Sequence, residues 1–266
     1  MDDKERLDIF LHLHGYAESR EKAKQLIIND CIYVEDVLIN KPSFRVSNNS
    51  SIRVEDNNVQ YVGRGASKLE KALNTFKILI NNAVAIDVGA STGGFTDYLL
   101  QHGAKKVYAI DVGHGQLHDK LKRDKRVINI ENTNFRYICT EIFVDCVDII
   151  VVDVSFISLK LILPKIVEIS CDNTDIVVLI KPQFEAGKSN VGKNGVVRDK
   201  KIHLAVLNNF SDYCSSNDLY IMNITFSPIK GGNGNIEYLA HLKKGKTVKY
   251  ESETFKSLIQ EAFDLL

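Results

Sequence analysis

From Ala83 onward the chain alternates short, almost wholly apolar runs with helical stretches, and that alternation restricts it to a parallel sheet with crossover helices. The runs are AVAID (83–87), VYAI (107–110), VINI (127–130), VDIIVV (147–152) and DIVVLI (175–180). Runs without a polar face fit strands covered on both sides. In such α/β sheets ligands bind outside the carboxyl ends of the strands, so residues that end these runs are where chemistry is expected.

The first run leads into IDVGASTGGFTDYLL, a glycine-rich turn between a strand and a helix, which lets backbone N–H groups approach a cofactor closely. Gly89, Gly93 and Gly94 are spaced GxxxGG, not GxGxxG, so the middle glycine that admits a dinucleotide pyrophosphate is absent and a dehydrogenase is disfavoured. Asp111 ends the second run and is suited to accept the ribose hydroxyls of an adenosine-containing cofactor. Asp153 and Lys181 end two further runs; charges in such places pair or do chemistry. GKSNVGKN at 187–194 comes close to a Walker loop, but Asn194 lacks the magnesium-ligating hydroxyl and the loop starts too far beyond the strand, so it reads as a mobile basic loop over the site.

The first sixty residues have a different texture. Leu7, Phe10, Leu11 and Leu13 give one helix an apolar face, Ser19 is placed to cap a second through REKAKQLIIND, and CIYV and VLI flank Glu35-Asp36 as a tight hairpin. The joint between the parts falls near residues 58–66. Lys+Arg and Asp+Glu are both 34, so a polyanionic partner must be held by a local patch, not by the overall field. No run approaches a membrane span and the N-terminus is charged where a secretory signal is apolar, which predicts a cytoplasmic protein without a membrane partner. The five cysteines form no CxxC pair, and their scatter suits reduced, buried thiols.

RLDIFLHLHGYAESREKAKQLIINDCIYVEDVLINKP resembles an S4 RNA-binding domain. IDVGASTGGFTDYLLQHGAKKVYAIDVGHGQL, DVSFISLKLILP, LIKPQFEAGKSNVGKNGVVRD and SPIKGGNGNIEYL are similar to the TlyA family of ribosomal RNA 2′-O-methyltransferases, whose catalytic domain is of the FtsJ type. That resemblance covers nearly the whole chain. It implies a Rossmann-like, S-adenosylmethionine-dependent class I methyltransferase with a mostly parallel seven-stranded sheet (61–266) behind a small α+β S4 domain (1–60). It implies a catalytic tetrad of Lys68, Asp153, Lys181 and Glu237, with Lys181 the base and Lys68 the neighbouring cation that eases its deprotonation. It assigns S-adenosylmethionine to Asp87, Gly89, Ala90, Ser91, Thr92, Gly93, Gly94, Asp111, Asn134 and Asp153, and requires no metal. RNA contacts are expected from Arg6, Ser19, Arg20, Lys22, Lys24, Arg64, Lys188 and Lys193, as a basic strip from the Arg20 helix towards Lys68 and the 188–193 loop. The implied substrate is a cytidine of 23S RNA, and in some members of 16S RNA, in ribosomal RNA or a ribosomal subunit. The short lead before Arg6 leans towards 23S, and the chain reads as a monomer with a dimer as the alternative. The competing readings are a non-catalytic RNA-binding protein and a cytotoxin or haemolysin.

Overall fold

The computed structural model describes residues 4–28, 31–54, 61–245 and 252–266. It divides into two compact units, Met1–Arg64 and Gly65–Leu266.

In the first unit β1 (Glu5–Arg6) leads into α1 (Leu7–Leu13) and α2 (Arg20–Ile28), followed by β2 (Ile32–Val34), β3 (Val37–Leu38), β4 (Arg45–Val46) and β5 (Ile52–Val54). Ser19 caps α2, its Oγ accepting from the Lys22 N–H at 3.1 Å. The helix expected through Asp30 is seen to Ile28; Asn29 and Asp30 lie outside the described residues, as do positions 58–60 of the expected joint. β2 and β3 pair antiparallel across Glu35 and Asp36, both at positive φ (49° and 60°), as a two-residue hairpin with a primed turn requires. A core of Leu7, Phe10, Leu11, Ala23, Ile27 and Ile32 holds this unit together.

The second unit opens with α3 (Ala66–Phe76) and continues β6 (Val84–Val88), α4 (Gly94–Gln101), β7 (Lys106–Ile110), α5 (Asp119–Lys122), β8 (Val127–Ile130), β9 (Ile149–Val152), α6 (Leu163–Ile169), β10 (Asp175–Ile180), α7 (Pro182–Glu185), α8 (Lys200–Ser215), β11 (Leu219–Phe226), β12 (Tyr238–Lys244) and α9 (Ser252–Leu265). The sheet has seven strands in the order β11-β12-β10-β9-β6-β7-β8. Neighbours among β6 to β10 run parallel, whereas β12 is antiparallel to both β10 and β11. All five predicted runs are strands, and β6 and β9 are buried along their whole length. β9 starts two residues later than expected, and the preceding Asp148 is bonded to the neighbouring strand, its Oδ2 accepting from the Val84 N–H at 2.7 Å.

The cysteine expectation holds only in part. The sulfurs of Cys146 and Cys171 are in contact, with Cα atoms 6.6 Å apart. Cys146 precedes β9 and Cys171 precedes β10, and parallel pairing brings those two strand starts together, within disulfide reach. Of the other three only Cys214 is buried; Cys139 is exposed.

Candidate active site

Parallel pairing puts the carboxyl ends of β6, β7, β9 and β10 on one edge of the sheet, and the antiparallel β12 brings its amino end to the same edge. Its register sets Tyr238 opposite Ile180, so Glu237 arrives beside Lys181. Asp153 follows β9 directly. Lys68 comes from the first turn of α3, whose apolar face of Leu69, Ala72, Leu73 and Phe76 is buried.

These four side chains form one ionic chain. Lys181 Nζ lies 2.6 Å from Asp153 Oδ1, Lys68 Nζ lies 3.6 Å from Asp153 Oδ2, and Lys68 Nζ lies 2.9 Å from Glu237 Oε2. Lys68 and Lys181 are each 8% exposed and Glu237 1%. Charges so sheltered persist only when paired, and here two ammonium groups face two carboxylates. Burial works to raise the Asp153 carboxyl, but the Lys68 and Lys181 charges outweigh it and hold the group below the usual carboxylate range. Lys181 also donates to Ser155 Oγ at 2.9 Å, and Gln183 Nε2 donates to Glu237 Oε1 at 3.0 Å. A lysine amine that gives two N–H groups to Asp153 and Ser155 keeps one tetrahedral position for a proton or, when neutral, a lone pair.

Next to this chain lies the glycine turn. Gly89 sits at φ +85°, and a Cβ there would stand 2.5 Å from the Asp153 carbonyl oxygen, so the turn packs directly on the tetrad strand and only glycine fits. The Asp111 carboxylate accepts from the Ser91 and Gly113 N–H groups, both at 2.7 Å, stitching the turn to the end of β7. Ser91 and Thr92 are exposed on the turn, whereas Ala90, Gly93 and Gly94 are buried. Asp87 is buried beneath, with Oδ2 accepting from Thr96 at 2.7 Å and Oδ1 without a partner among the described residues. Burial, reinforced by the Asp153 and Asp111 charges against the Thr96 hydrogen bond, pushes its carboxyl up to about 7. A backbone cradle that excludes a Cβ and a buried carboxylate oxygen without a donor fit a small polar cofactor carrying positive charge. Asn134 is placed differently from the rest: its exposed side chain caps the short helical turn Phe135–Tyr137, accepting from the Arg136 N–H at 3.2 Å. Its neighbour Thr133 donates its N–H to the Asp111 carbonyl at 3.0 Å, so the segment runs alongside Asp111.

Among the expected RNA contacts, Arg6 and Arg20 share one partner. Both Nε atoms point at the fully buried Asp8, at 2.9 and 2.8 Å. Lys24 pairs with Glu21 at 2.9 Å, while Lys22, Arg64, Lys188 and Lys193 are exposed.

Residues 61–244 match the FtsJ-like methyltransferase family and residues 5–52 match the S4 domain. The chain belongs to the TlyA group of FtsJ-like methyltransferases. It is 38% identical over 244 residues to the 16S/23S rRNA (cytidine-2′-O)-methyltransferase TlyA of Mycobacterium tuberculosis, covering 91% of each chain. It is 47% identical to Hemolysin A of Brachyspira hyodysenteriae, covering 89% of this chain and 98% of that one. A solved structure of a Streptococcus thermophilus protein classed among the hemolysins superposes with a TM-score of 0.78 at 40% identity, covering 98% of this chain and 96% of that chain. The Rossmann-like methyltransferase fold and the S4 domain implied by the sequence are therefore both present.

Ser155, Gln183, Asp8 and Phe156 were not singled out from sequence. Ser155 and Gln183 flank the motif residues Asp153 and Lys181, but their partners come from other strands. Phe156 reads as one more apolar residue, yet it is 89% exposed, at φ +64°, with its ring 5.1 Å from that of Phe184. No helix among the described residues is long and apolar enough to cross a membrane.

Proposed function

We propose that this protein transfers a methyl group from S-adenosylmethionine to the 2′-hydroxyl of a cytidine in ribosomal RNA. The observation that carries the reading is the continuous ionic chain Lys181–Asp153–Lys68–Glu237 at the sheet edge that holds the glycine turn. When bound, S-adenosylmethionine supplies an activated methyl group on a positively charged sulfur. The residues that would hold it are those of the turn, with Asp87 below and Asp111 at the ribose end.

The chain's own task is to place a hydroxyl and take its proton. Lys181 is the base: Asp153 and Ser155 fix its amine through two N–H groups, and the remaining position faces the incoming hydroxyl. Lys68 balances the two carboxylates, so that neither Asp153 nor Glu237 is left as an uncompensated buried charge. The exposed Phe156, held in a conformation costing about 1–3 kcal/mol for a non-glycine residue, offers a flat face on which an unstacked base can rest. Names of relatives support cytidine as the target and leave 23S RNA alone and 16S with 23S RNA as the two variants of the reading.

The test is tritium transfer from labelled S-adenosylmethionine to 30S and 50S subunits from cells lacking the gene, followed by mapping of 2′-O-methyl positions. Lys181→Met is expected to lose about a hundred- to ten-thousandfold in transfer, the usual share of a general base, while binding S-adenosylmethionine normally by calorimetry. Normal transfer by that variant would remove Lys181 as the base. No transfer to either subunit by the wild type would favour a non-catalytic RNA-binding protein.

A further inference from the structure

We infer that Asn235 is a positioning residue for RNA: it fastens the basic turn Gly192–Val197 to the segment carrying Glu237, so that Lys193 and Arg198 are presented as a preset grip for phosphates beside the tetrad. The inference rests on the RNA-methyltransferase reading above and adds a device to it.

Asn235 is 1% exposed and every polar atom of its side chain is used. Its Oδ1 accepts from the Val197 N–H at 3.0 Å, and its Nδ2 donates to the carbonyls of Gly195 at 2.8 Å and Gly232 at 3.0 Å. Two backbone hydrogen bonds close the turn on itself, from the Gly192 N–H to Val196 O at 3.1 Å and from the Gly195 N–H to Gly192 O at 2.8 Å, with Gly195 at φ +73°. Val197 is gripped a second time by the buried His203, whose Nε2 lies 3.0 Å from the Val197 carbonyl and whose Nδ1 lies 2.8 Å from the Tyr238 hydroxyl. A carbonyl only accepts, so the proton sits on Nε2 and the Tyr238 hydroxyl donates to Nδ1. Asn235 and Tyr238 lie on either side of Glu237 in the chain, so one fastener of the turn belongs to the strand entry that delivers a tetrad residue and the other, His203 of α8, is bonded to it.

What the turn presents is cationic. Between Ala186 and Arg198 the chain carries Lys188, Lys193 and Arg198, all exposed, and no aspartate or glutamate. In a protein with equal numbers of acidic and basic residues this is a local excess of positive charge, the kind of patch that contacts phosphate. A basic loop left free would lose entropy on binding RNA, whereas one already fastened loses little. Sequence alone predicts a mobile loop here; its second half is instead tied down.

The experiment is a double-mutant cycle on the full-length enzyme, reading affinity for ribosomal subunits, kcat and S-adenosylmethionine affinity separately. Lys193→Ala in the wild-type background is expected to weaken subunit binding about fivefold, in the range of a single phosphate contact. In the Asn235→Ala background the same change should cost less than about twofold, because a loosened turn no longer presents Lys193. S-adenosylmethionine affinity should be unchanged throughout. Asn235→Asp supplies a second readout that does not need the alanine variant to fold. As a neutral acid it keeps the acceptor for Val197 and one O–H donor, so its subunit affinity relative to wild type should recover as pH falls from 8 to 6. The inference is overturned if Lys193→Ala costs the same factor in both backgrounds, or if Asn235→Asp shows a pH-independent ratio to wild type. Wild-type enzyme that modifies no RNA would instead overturn the reading on which this one stands.

Discussion

Two aspartates beside the same turn, Asp87 buried and Asp153 partly buried, have opposite fates. Asp153 is held ionised by the lysines on either side of it, whereas Asp87, buried and facing other carboxylates, is pushed up to about 7. For Asp87 the folded value lies above the unfolded one, so its favourable contribution to folding is present at low pH and is lost as pH rises through about 7. A cation bound near Oδ1 favours the ionised form. S-adenosylmethionine should therefore bind more tightly as pH rises towards and past about 7, with proton release below it, and Asp87→Asn should flatten that part of the profile. Calorimetry in buffers of different ionisation enthalpy measures both effects; a wild-type profile that is flat between pH 6 and 8 would separate Asp87 from the cofactor. Ser155 provides a smaller test. Removing its hydrogen bond to Lys181 is worth about 1 kcal/mol, so Ser155→Ala should lower kcat by roughly five- to tenfold with cofactor affinity unchanged. The charges at Asp111, Asp153 and Lys181 were legible because each ends an apolar run, whereas Asp87 came only with the family resemblance. Ser155 and Gln183 were not, because the Lys181 and Glu237 atoms they hold reach them only through strand pairing.

At the scale of elements, the strands were readable where apolar residues follow one another, even in the partly exposed β8, and less so where polar residues interrupt them, even in the buried β12. β9 and the Ile176–Ile180 part of β10 announce themselves as unbroken apolar runs, while β11 and β12 carry polar residues such as Asn223 and His241 and escape a reading based on apolar continuity. Yet β12 is the strand that completes the site, since only an antiparallel strand brings its amino end, and Glu237, to the edge where the others end. In the first unit, α1 contributes a feature that periodicity hides. Asp8 falls on the buried face of α1 and anchors both Arg6 and Arg20. Burial raises the Asp8 carboxyl, but hydrogen bonds from Arg6 and Arg20 prevail and keep it below the ordinary range. Asp8→Ala would free two guanidinium groups from a common anchor, and the expected result is about a tenfold loss in affinity for ribosomal RNA, near 1.4 kcal/mol. S-adenosylmethionine affinity should not change. Unaltered RNA binding in a folded Asp8→Ala protein would mean that the fixed geometry of Arg6 and Arg20 is irrelevant to recognition.

For the whole molecule, the balance of 34 basic against 34 acidic residues sets how RNA binding must respond to salt. A protein without net charge gains nothing from its overall field, so attraction comes from those side chains that replace counterions on individual phosphates. Each such contact contributes about 0.7–0.9 to the slope of log K against log salt concentration. The exposed cations Lys22, Lys188, Lys193 and Arg198, with the anchored Arg6 and Arg20, are few enough that the slope should lie between about −4 and −5.5. The two hydrophobic cores share no residue, one lying within Met1–Arg64 and the other within Gly65–Leu266. A chain beginning at Gly65 should thus fold and bind S-adenosylmethionine like the full protein. It should lose the share of the slope that Arg6, Arg20 and Lys22 supply, keep the share of the loop cations, and show a further drop of about one on Lys193→Ala. Filter binding or fluorescence titration between 50 and 300 mM salt measures all three slopes. If the shortened chain kept the full slope, the S4 unit would not contact phosphate; if it lost all of it, the Gly192–Val197 turn would not.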